Sequence, residues 1–284
     1  MTRAQLALLI VGILALLAAA AAVALVSVRR RRSAERARRA PDLPRWPIVL
    51  VHGLVGFDAL LVGGGGRRYF RGIVAHLEGR GLKVYRPQLP GVGSVPVRAG
   101  KLADFICSLP DEKVNVIAHS MAGLDARYAI ARLGLGDRVA SLVTIGTPHR
   151  GSPVADLAVW GPAKLVRAVF RRVGRPTDAF EWLTTHGAGR FNDEIVDDLR
   201  VTYFSVVTRA KPARSLNPIL LAPHYYLRRR AGSNDGLVPA SSQRWGEILF
   251  ECDADHWGQI GWSLGNDPAD IYDRILVGLA ARGV

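Results

Sequence analysis

The chain contains little cysteine: only Cys107 and Cys252 occur among its 284 residues. Two cysteines cannot build the disulfide framework of a small secreted domain, and their separation does not suggest a metal site. They could form a single bridge, which the sequence leaves open. Acidic residues are also scarce, with 24 against 38 basic residues and a net charge of +14. This imbalance requires a partner of opposite charge or a basic appendage to the fold.

The excess positive charge is concentrated near the amino terminus. Residues 1–39 hold eight arginines against one glutamate, which is half of the net charge. The rest of the chain has no known nucleic-acid motif and no basic stripe interleaved with aromatic residues, so we expect no nucleic-acid partner. A surface that faces anionic lipid fits the composition.

One long apolar run extends from Leu6 to Val26. At ~1.5 Å rise per residue, a helix of this length spans the ~30 Å hydrocarbon core of a bilayer. Arg3 and the alanines within the run also fit a cleaved signal peptide, but we favour an uncleaved transmembrane anchor over residues 1–28. A basic linker over residues 29–46 follows, and its arginines favour a cytoplasmic main domain by the positive-inside rule.

Beyond the linker, β-branched runs alternate with segments of helical periodicity. Strands are predicted at 47–51, 82–85, 114–118, 139–145, 201–207 and 247–251, and helices at 69–79, 99–109, 121–133 and 268–278. This alternation predicts an α/β fold with a doubly wound, mostly parallel sheet in one domain over residues 47–284. Residues 209–231 contain three prolines and are expected to form loops.

Residues 153–200 interrupt the alternation with amphipathic, basic sequence. We interpret this stretch as a helical lid whose apolar face, including Trp160 and Phe170, covers the site and turns toward lipid. A helical insertion that simply packs on the sheet is the alternative.

The stretch V-N-V-I-A-H-S-M-A-G, from Val114 to Gly123, contains the strongest chemical signal. A buried strand runs directly into a helix, with Ser120 at the turn, and this arrangement is typical of a nucleophile elbow. The residues two before and two after the serine must be small for the strand and helix to approach closely. Both are alanine here, Ala118 and Ala122, where the usual pattern has glycine.

Two further segments could complete a catalytic site. I-V-L-V-H-G-L ends at Leu54, whose amide is a candidate oxyanion donor, although His52-Gly53 could also be a plain turn with the histidine in the core. Asp235 lies in the turn N-D-G-L-V, and His256 follows 21 residues later. The order Ser120, Asp235, His256 is the chain order of the triad in α/β hydrolases.

Other residues compete for two of these roles. Asp253 and Asp255 are rivals to Asp235 as the acid. His149, in the loop after the strand at 139–145, resembles a base but precedes every candidate acid, and His256 is the only histidine after Asp235.

Taken together, the segments at 48–54, 114–128, 141–152 and 234–238, followed by His256, resemble the bacterial triacylglycerol lipases of the α/β-hydrolase fold. The resemblance covers roughly residues 47–280. It implies Ser120 as nucleophile, His256 as base and Asp235 as orienting acid. The amides of Leu54 and Met121 would form the oxyanion hole, with a fatty-acyl ester as substrate.

The chain also departs from that family. Many of these lipases bind calcium through an acidic residue two positions after the catalytic histidine, and this position is Gly258 here. We therefore expect no cofactor and no calcium at that position, although Glu251, Asp253 or Asp255 could hold an ion differently. The family is usually secreted, which conflicts with the charge rule and leaves the membrane face open.

We expect a monomeric, membrane-anchored lipase or esterase that works through an acyl-enzyme. An acyltransferase that uses the same triad is one alternative. A hydrolase-fold binding module with a decayed elbow is the other.

Overall fold

A computed structural model describes residues 43–54, 69–160, 178–211, 216–263 and 267–284. The strands in these ranges are β1 Ile48–Val51, β2 Val84–Tyr85, β3 Val114–His119, β4 Val139–Ile145, β5 Thr202–Arg209 and β6 Glu247–Asp253. The helices are α1 Ile73–Gly79, α2 Val95–Ser108, α3 Ala122–Arg132, α4 Pro153–Trp160, α5 Asp178–Trp182, α6 Thr185–Glu194, α7 Leu221–Ala231 and α8 Pro268–Ala280. Short 3₁₀ turns lie at Leu135–Asp137, Pro218–Leu220 and Gly258–Ile260.

The six strands form one parallel sheet with the order β2-β1-β3-β4-β5-β6. The chain passes from β1 to β2 on one side and then returns to β3 on the other, so the strand order reverses between β1 and β3. Ligands of open α/β sheets bind at the carboxyl ends of the strands where such a reversal occurs. Val51 pairs with Ala118, which brings the loops after β1 and β3 side by side.

Both faces of the sheet are covered by helices. In β1, Ile48 and Leu50 join a core that includes side chains of α1 and α8. Val49 and Val51 point to the opposite face and join a core built with α2 and α3. A strand buried on both faces has no polar side, which explains why β1 is a continuous apolar run in the sequence. The predicted doubly wound α/β architecture is confirmed.

Most predicted elements are present, with shifted ends. The strand β4 has the predicted bounds, whereas α2 begins at Val95 instead of residue 99. The earlier start is possible because Pro96 falls in the first turn of the helix, where its missing N–H removes no intrahelical bond. Asp267 caps α8 by accepting the Ala269 amide.

Residues 209–231 are less rich in loops than predicted, because Leu221–Ala231 forms the helix α7. Pro223 lies in its first turn, a position where proline is tolerated. The helix ends at Gly232, whose φ of 80° favours glycine. Pro218 and Pro223 therefore lie at the starts of the 3₁₀ turn and of α7.

The described part of the insertion at 153–200 consists of α4, α5 and α6. Its far end is fixed to the core by Arg127 of α3, which donates to Asn192 over 2.9 Å and pairs with Asp197 over 3.2 Å. Phe170 lies outside the described residues.

The predicted membrane span from Leu6 to Val26 also lies outside the described residues, as does the linker as far as residue 42. Among the residues that are described, none of the helices has the length and apolarity needed to cross a membrane. Cys107 and Cys252 are both free thiols, so the bridge that the sequence left open is not formed.

Candidate active site

Ser120 stands at the carboxyl end of β3 in a strained backbone conformation. Its φ is 58°, and no other residue except glycine has a positive φ in the described part of the chain. Its amide donates to the Ile145 carbonyl over 2.9 Å, and its own carbonyl accepts the Thr147 hydroxyl over 2.7 Å. A serine held this way on a sharp strand-to-helix turn has the geometry of a nucleophile elbow.

The alanines on either side of Ser120 are small enough for the strand and the helix to pack closely. Ala118 and Ala122 are both fully buried in the core between the sheet and α2 and α3. The position that requires glycine is Gly123, because a Cβ there would lie 2.3 Å from Thr147 Oγ1. The pattern around Ser120 did not indicate this requirement, since Thr147 is distant in sequence.

Hydrogen bonds link Ser120 to His256 and His256 to Asp235. His256 Nε2 lies 3.0 Å from Ser120 Oγ, and His256 Nδ1 lies 2.8 Å from Asp235 Oδ2. The other oxygen of the carboxylate, Oδ1, accepts the amides of Leu237 over 3.0 Å and Val238 over 2.7 Å. Asp235 is fully buried and His256 is almost so. The three side chains that the sequence selected therefore meet, in the predicted order.

The rival acids have other partners. Asp253 pairs with Lys211 over 2.5 Å. Asp255 accepts the amides of Asn217 and Gly258, each over 2.5 Å. Burial raises the pKa of the Asp255 carboxyl, and these hydrogen bonds oppose the rise. Neither carboxylate takes the place of Asp235 beside His256.

The residues at the family's calcium position do not fit that ion. Gly258 has no side chain to offer, and the Asp255 carboxylate is occupied as described above. Glu251 pairs with Arg209 over 2.5 Å and also with Arg244. Across the described ranges, no three His, Cys, Asp or Glu side chains cluster as metal ligands.

The loop after β1 lies against the elbow. A Cβ on Gly53 would lie 2.8 Å from Ser120 Cβ and 2.9 Å from the His119 carbonyl, so only glycine fits. The amides of Leu54 and Met121 donate no hydrogen bond to another of the described residues. Two amides on adjacent loops beside a serine are a possible pair of donors to an oxyanion.

His52 holds this loop from the core side and has no contact with the serine. Its Nδ1 donates to the Gly53 carbonyl over 2.9 Å, and its Nε2 accepts the Leu89 amide over 3.1 Å. Burial, assisted by the charge of Arg98, lowers the pKa of His52 to about 4. The ring is therefore neutral and supports the turn from the core.

A buried ion pair reinforces the same loop. Arg98 of α2 and Asp125 of α3 are both fully buried and lie 2.7 Å apart. The guanidinium also donates to the His52 carbonyl over 2.6 Å and to the Pro90 carbonyl. Burial raises the pKa of Asp125, and Arg98 opposes that rise. The charge of Arg98 thus ties the loop after β1 to the helix that carries the elbow.

His119, next to the serine, supports the loop of His256. Its Nε2 lies 3.1 Å from the His256 carbonyl, which can only accept, so Nε2 carries the proton. Its Nδ1 then accepts the Tyr69 hydroxyl over 2.7 Å. Burial lowers the pKa of His119 well below its usual range and keeps the ring neutral.

His149, the other candidate base, lies in a different environment. Its Nε2 contacts Thr144 Oγ1 at 3.0 Å and its ring stacks on Trp245. Burial, with Arg127 and Arg150 nearby, lowers the pKa of His149 well below its usual range. It is a packed core residue, as its place before the acid suggested.

A cavity of about 380 Å³ opens beside Ser120 and His256. Its walls are mostly apolar and come partly from the insertion: Val154, Ala155, Ala158, Phe180 and Leu183. The opposite wall includes Ile219, Leu220, Pro223, Leu237 and Val238. An apolar chamber that ends at a serine and a histidine suits a substrate with a reactive polar group on a hydrocarbon chain.

Comparison with known proteins agrees with this architecture. The α/β hydrolase fold family matches residues 47–247. Triacylglycerol lipase 2 of Saccharomyces cerevisiae is 32% identical over 224 residues, which are 74% of this chain and 68% of that protein. A triacylglycerol lipase of Vibrio cholerae is 30% identical over 272 residues, which are 80% of this chain and 85% of that protein.

Solved structures are similar in fold. The mature Bacillus licheniformis lipase BlEst2 superimposes with a TM-score of 0.66 at 24% identity, over 83% of this chain and 94% of that one. Staphylococcus hyicus lipase has a TM-score of 0.63 at 17% identity, over 85% of this chain and 97% of that one. The family match over residues 47–247 and the two sequence relatives establish that the chain belongs to the lipase family of the α/β hydrolases and is a carboxylic ester hydrolase.

Proposed function

We propose that the chain cleaves fatty-acyl esters through Ser120, His256 and Asp235, with a covalent acyl-enzyme as intermediate. The observation that carries the proposal is the continuous line of hydrogen bonds from Ser120 Oγ through His256 to Asp235, over 3.0 and 2.8 Å. Ser120 and His256 both line the apolar cavity. A nucleophile, its base and an orienting acid in one line have the geometry of nucleophilic acyl transfer.

The tautomer of His256 follows from its partners. An ionised carboxylate can only accept, so His256 Nδ1 carries a proton toward Asp235 and Nε2 is free to accept the Ser120 proton. Ser120 Oγ then bonds to the ester carbonyl carbon as its proton moves to Nε2. The carbonyl oxygen becomes an oxyanion, and the amides of Leu54 and Met121 donate to it. Each such donor is typically worth ~10²- to 10³-fold in rate.

Collapse of this intermediate completes the first half of the reaction. The bond from carbon to the ester oxygen breaks, and the departing alcohol takes the proton from His256 Nε2. A water molecule then attacks the acyl-enzyme and gives a proton to the same nitrogen. The bond from carbon to Ser120 Oγ breaks, Oγ recovers the proton, and the fatty acid leaves. The side chains of Ser120, His256 and Asp235 and the two amides supply every group except the attacking water.

The substrate class rests on the cavity and on the relatives. The chamber beside Ser120 has room for a hydrocarbon chain, and both sequence relatives are named triacylglycerol lipases. We therefore propose long-chain acyl esters, including acylglycerols, as substrates. Because Gly258 offers no carboxylate where the family has its acidic calcium ligand, we further propose that the reaction is independent of that ion.

Hydrolysis of esters of increasing acyl length, with and without a calcium chelator, tests the proposal. We expect cleavage of long-chain esters at rates that the chelator does not change. Activity confined to short chains would reduce the proposal to an esterase. Loss of activity in chelator would contradict calcium independence. Ester products formed when a competing alcohol is present would favour the acyltransferase.

We propose that the insertion at 153–200 acts as a lid. Its helix α4 and the segment from Phe180 to Leu183 contribute cavity wall, while α6 is fixed by Arg127. Trp160, at the end of α4, has 69% of its surface exposed although it is large and apolar. Such a residue near a cavity rim is suited to contact a lipid interface.

Trp160→Ala should reduce the increase in activity that occurs when the substrate forms an interface, by about 3- to 10-fold, because burial of this side chain in lipid stabilises the open state. Hydrolysis of soluble short-chain esters should stay unchanged. The measurement compares rates below and above the concentration at which the substrate aggregates. Leu199→Ala is the matched control, since Leu199 is fully exposed in the same insertion but lies beyond Asp197, which Arg127 of α3 fixes to the core. Equal interfacial activation in both variants would contradict the lid.

Membrane attachment through the segment from Leu6 to Val26 is also part of the proposal, supported by its length and apolarity. The described residues add a second contact. On α7, Leu221 and Tyr225 are exposed one turn apart, and Arg228 and Arg229 extend the same face. Exposed apolar and basic residues together suit an anionic lipid surface. Release of the full chain from membranes by a high-salt wash would contradict the anchor.

A further inference from the structure

Gln259 occupies an unusual place behind the Asp235 carboxylate. It lies in the 3₁₀ turn Gly258–Ile260, three residues after His256, and its side chain is fully buried. Its Nε2 donates to Asp235 Oδ2 over 2.9 Å and to Thr208 Oγ1 over 2.6 Å. The oxygen that receives this hydrogen bond is the same one that faces His256 Nδ1.

The orientation of the Gln259 amide follows from its neighbours. An ionised carboxylate accepts only, so the NH₂ end must face Asp235. The Thr208 hydroxyl donates to Gln243 Oε1 over 3.2 Å, which leaves its oxygen free to accept from Gln259. Gln243 is itself oriented by the Thr208 amide, which donates to Oε1 over 2.7 Å. Each donor in this network has an acceptor.

The backbone makes room for this amide. Gly146, directly after β4, has a φ of 59°, and a Cβ at that position would lie 2.3 Å from Gln259 Oε1. The same Cβ would lie 3.1 Å from Asp235 Oδ2. A larger residue at 146 would therefore displace both the amide and the carboxylate. Glycine directly after β4 therefore leaves the space in which Gln259 contacts Asp235.

We propose that Gln259 is a positioning residue that holds the Asp235 carboxylate in place and aimed at His256 Nδ1. Asp235 is removed from water and depends on four donors: the Leu237 and Val238 amides at Oδ1, and His256 and Gln259 at Oδ2. Hydrogen bonds to the charged form favour that form. Gln259 is the one side-chain donor among the four that takes no part in proton transfer. The inference rests on the proposed triad.

The pH profile separates this role from mere packing. Gln259→Glu conserves size, but the introduced carboxyl can donate to Asp235 only while it is protonated. Two carboxyl groups that share a site cannot both ionise easily, so the introduced group has a raised pKa. The variant should retain activity at low pH and lose it as the introduced carboxyl ionises. Its kcat/KM profile should have a descending limb at a pH where the wild type is on its plateau.

Other titratable groups near this amide are His119, His256 and Asp255. The His119 and His256 rings lie 4.7 Å apart, and Asp255 Oδ1 accepts the amide of Gly258, beside Gln259. All three are present in every variant, so the difference between the profiles isolates the introduced carboxyl. Wild type and variants are therefore compared over the same pH range and on the same ester.

Gln259→Met tests the same contact without a new charge. We expect kcat to fall about 10- to 100-fold with little change in KM, the range that one hydrogen bond to a charged group supplies. Gln243→Met is the matched control, because Gln243 is a buried amide of the same network that does not touch Asp235. It should lower the melting temperature but leave the shape of the pH profile unchanged.

The inference is overturned by a wild-type kcat in Gln259→Met, or by a Gln259→Glu profile parallel to that of the wild type. If Gln259→Met does not fold, the Gln259→Glu profile alone decides. If the proposed triad is wrong, the activities of the variants would differ from this. In that case Ser120→Ala would remain active, whereas failure of the inference alone leaves Ser120→Ala inactive and Gln259→Met active.

Discussion

Ser120→Ala should lower kcat for ester hydrolysis on the order of 10⁶-fold, the loss that removal of the nucleophile causes when a triad acts as a unit. The hydroxyl lies 3.0 Å from His256 Nε2, and no second hydroxyl occupies that position among the described residues. Without Oγ, no acyl-enzyme can form. Only catalysis by the oxyanion donors and by substrate binding would remain.

The fold should be unaffected by this substitution, because alanine can hold the same backbone. The elbow is maintained by main-chain contacts at Ser120, namely its amide with the Ile145 carbonyl and its carbonyl with Thr147 Oγ1. Alanine conserves both and is strained by the φ of 58° to the same degree as serine. We therefore expect the melting temperature to change by no more than about 2 °C.

Two measurements check this result: kcat on a long-chain ester, and covalent labelling by a fluorophosphonate. The wild type should be labelled once and inactivated, and Ser120→Ala should not be labelled. Ser108→Ala, at an exposed serine on α2, is the control and should behave as the wild type. Full activity in Ser120→Ala would move the nucleophile elsewhere. Absence of labelling in folded wild type would favour the binding module.

Much of this site could be predicted because its residues directly follow strands. Leu54 follows β1 and Ser120 follows β3, and parallel strands end at the same edge of a sheet. Asp235 and His256 could be assigned by their order in the chain, since a triad's spatial arrangement goes with a fixed sequence order in this fold. Short runs rich in apolar and β-branched residues defined the central strands well, because strands buried on both faces contain few polar residues.

The residues that support the site, Arg98 and Gln259, could not be recognised from the sequence. Arg98 is a single cation in the first turn of α2 and resembles a solvated residue in the sequence. Its burial depends on Asp125, which it meets only when α2 packs on α3. Gln259 is likewise a single amide in a short turn, and its partners Thr208 and Asp235 are 51 and 24 residues away. Contacts at this separation follow from the packing of helices and strands, which local patterns do not encode.

Asp235→Asn should lower kcat about 10⁴-fold at neutral pH, with little change in stability, because the substitution reverses the tautomer of His256. The hydrogen bonds at residue 235 determine which way the asparagine amide would point. The Leu237 and Val238 amides both donate to Oδ1, so the asparagine oxygen must take that position. Its NH₂ group then replaces Oδ2 and faces His256 Nδ1 at about 2.8 Å. It would donate there, Nδ1 would lose its proton, and Nε2 would carry one instead.

A protonated Nε2 cannot accept the proton of Ser120, so attack on the ester fails although all three side chains stay in place. The asparagine NH₂ would also meet the NH₂ group of Gln259, which favours a flip of the Gln259 amide. Asp253→Asn is the control, because Asp253 pairs with Lys211 at the surface and should tolerate the change within about threefold. If Asp255→Asn abolished activity while Asp235→Asn retained it, the acid would be Asp255. The hydrogen bond between His256 and Asp235 would then play no part in catalysis.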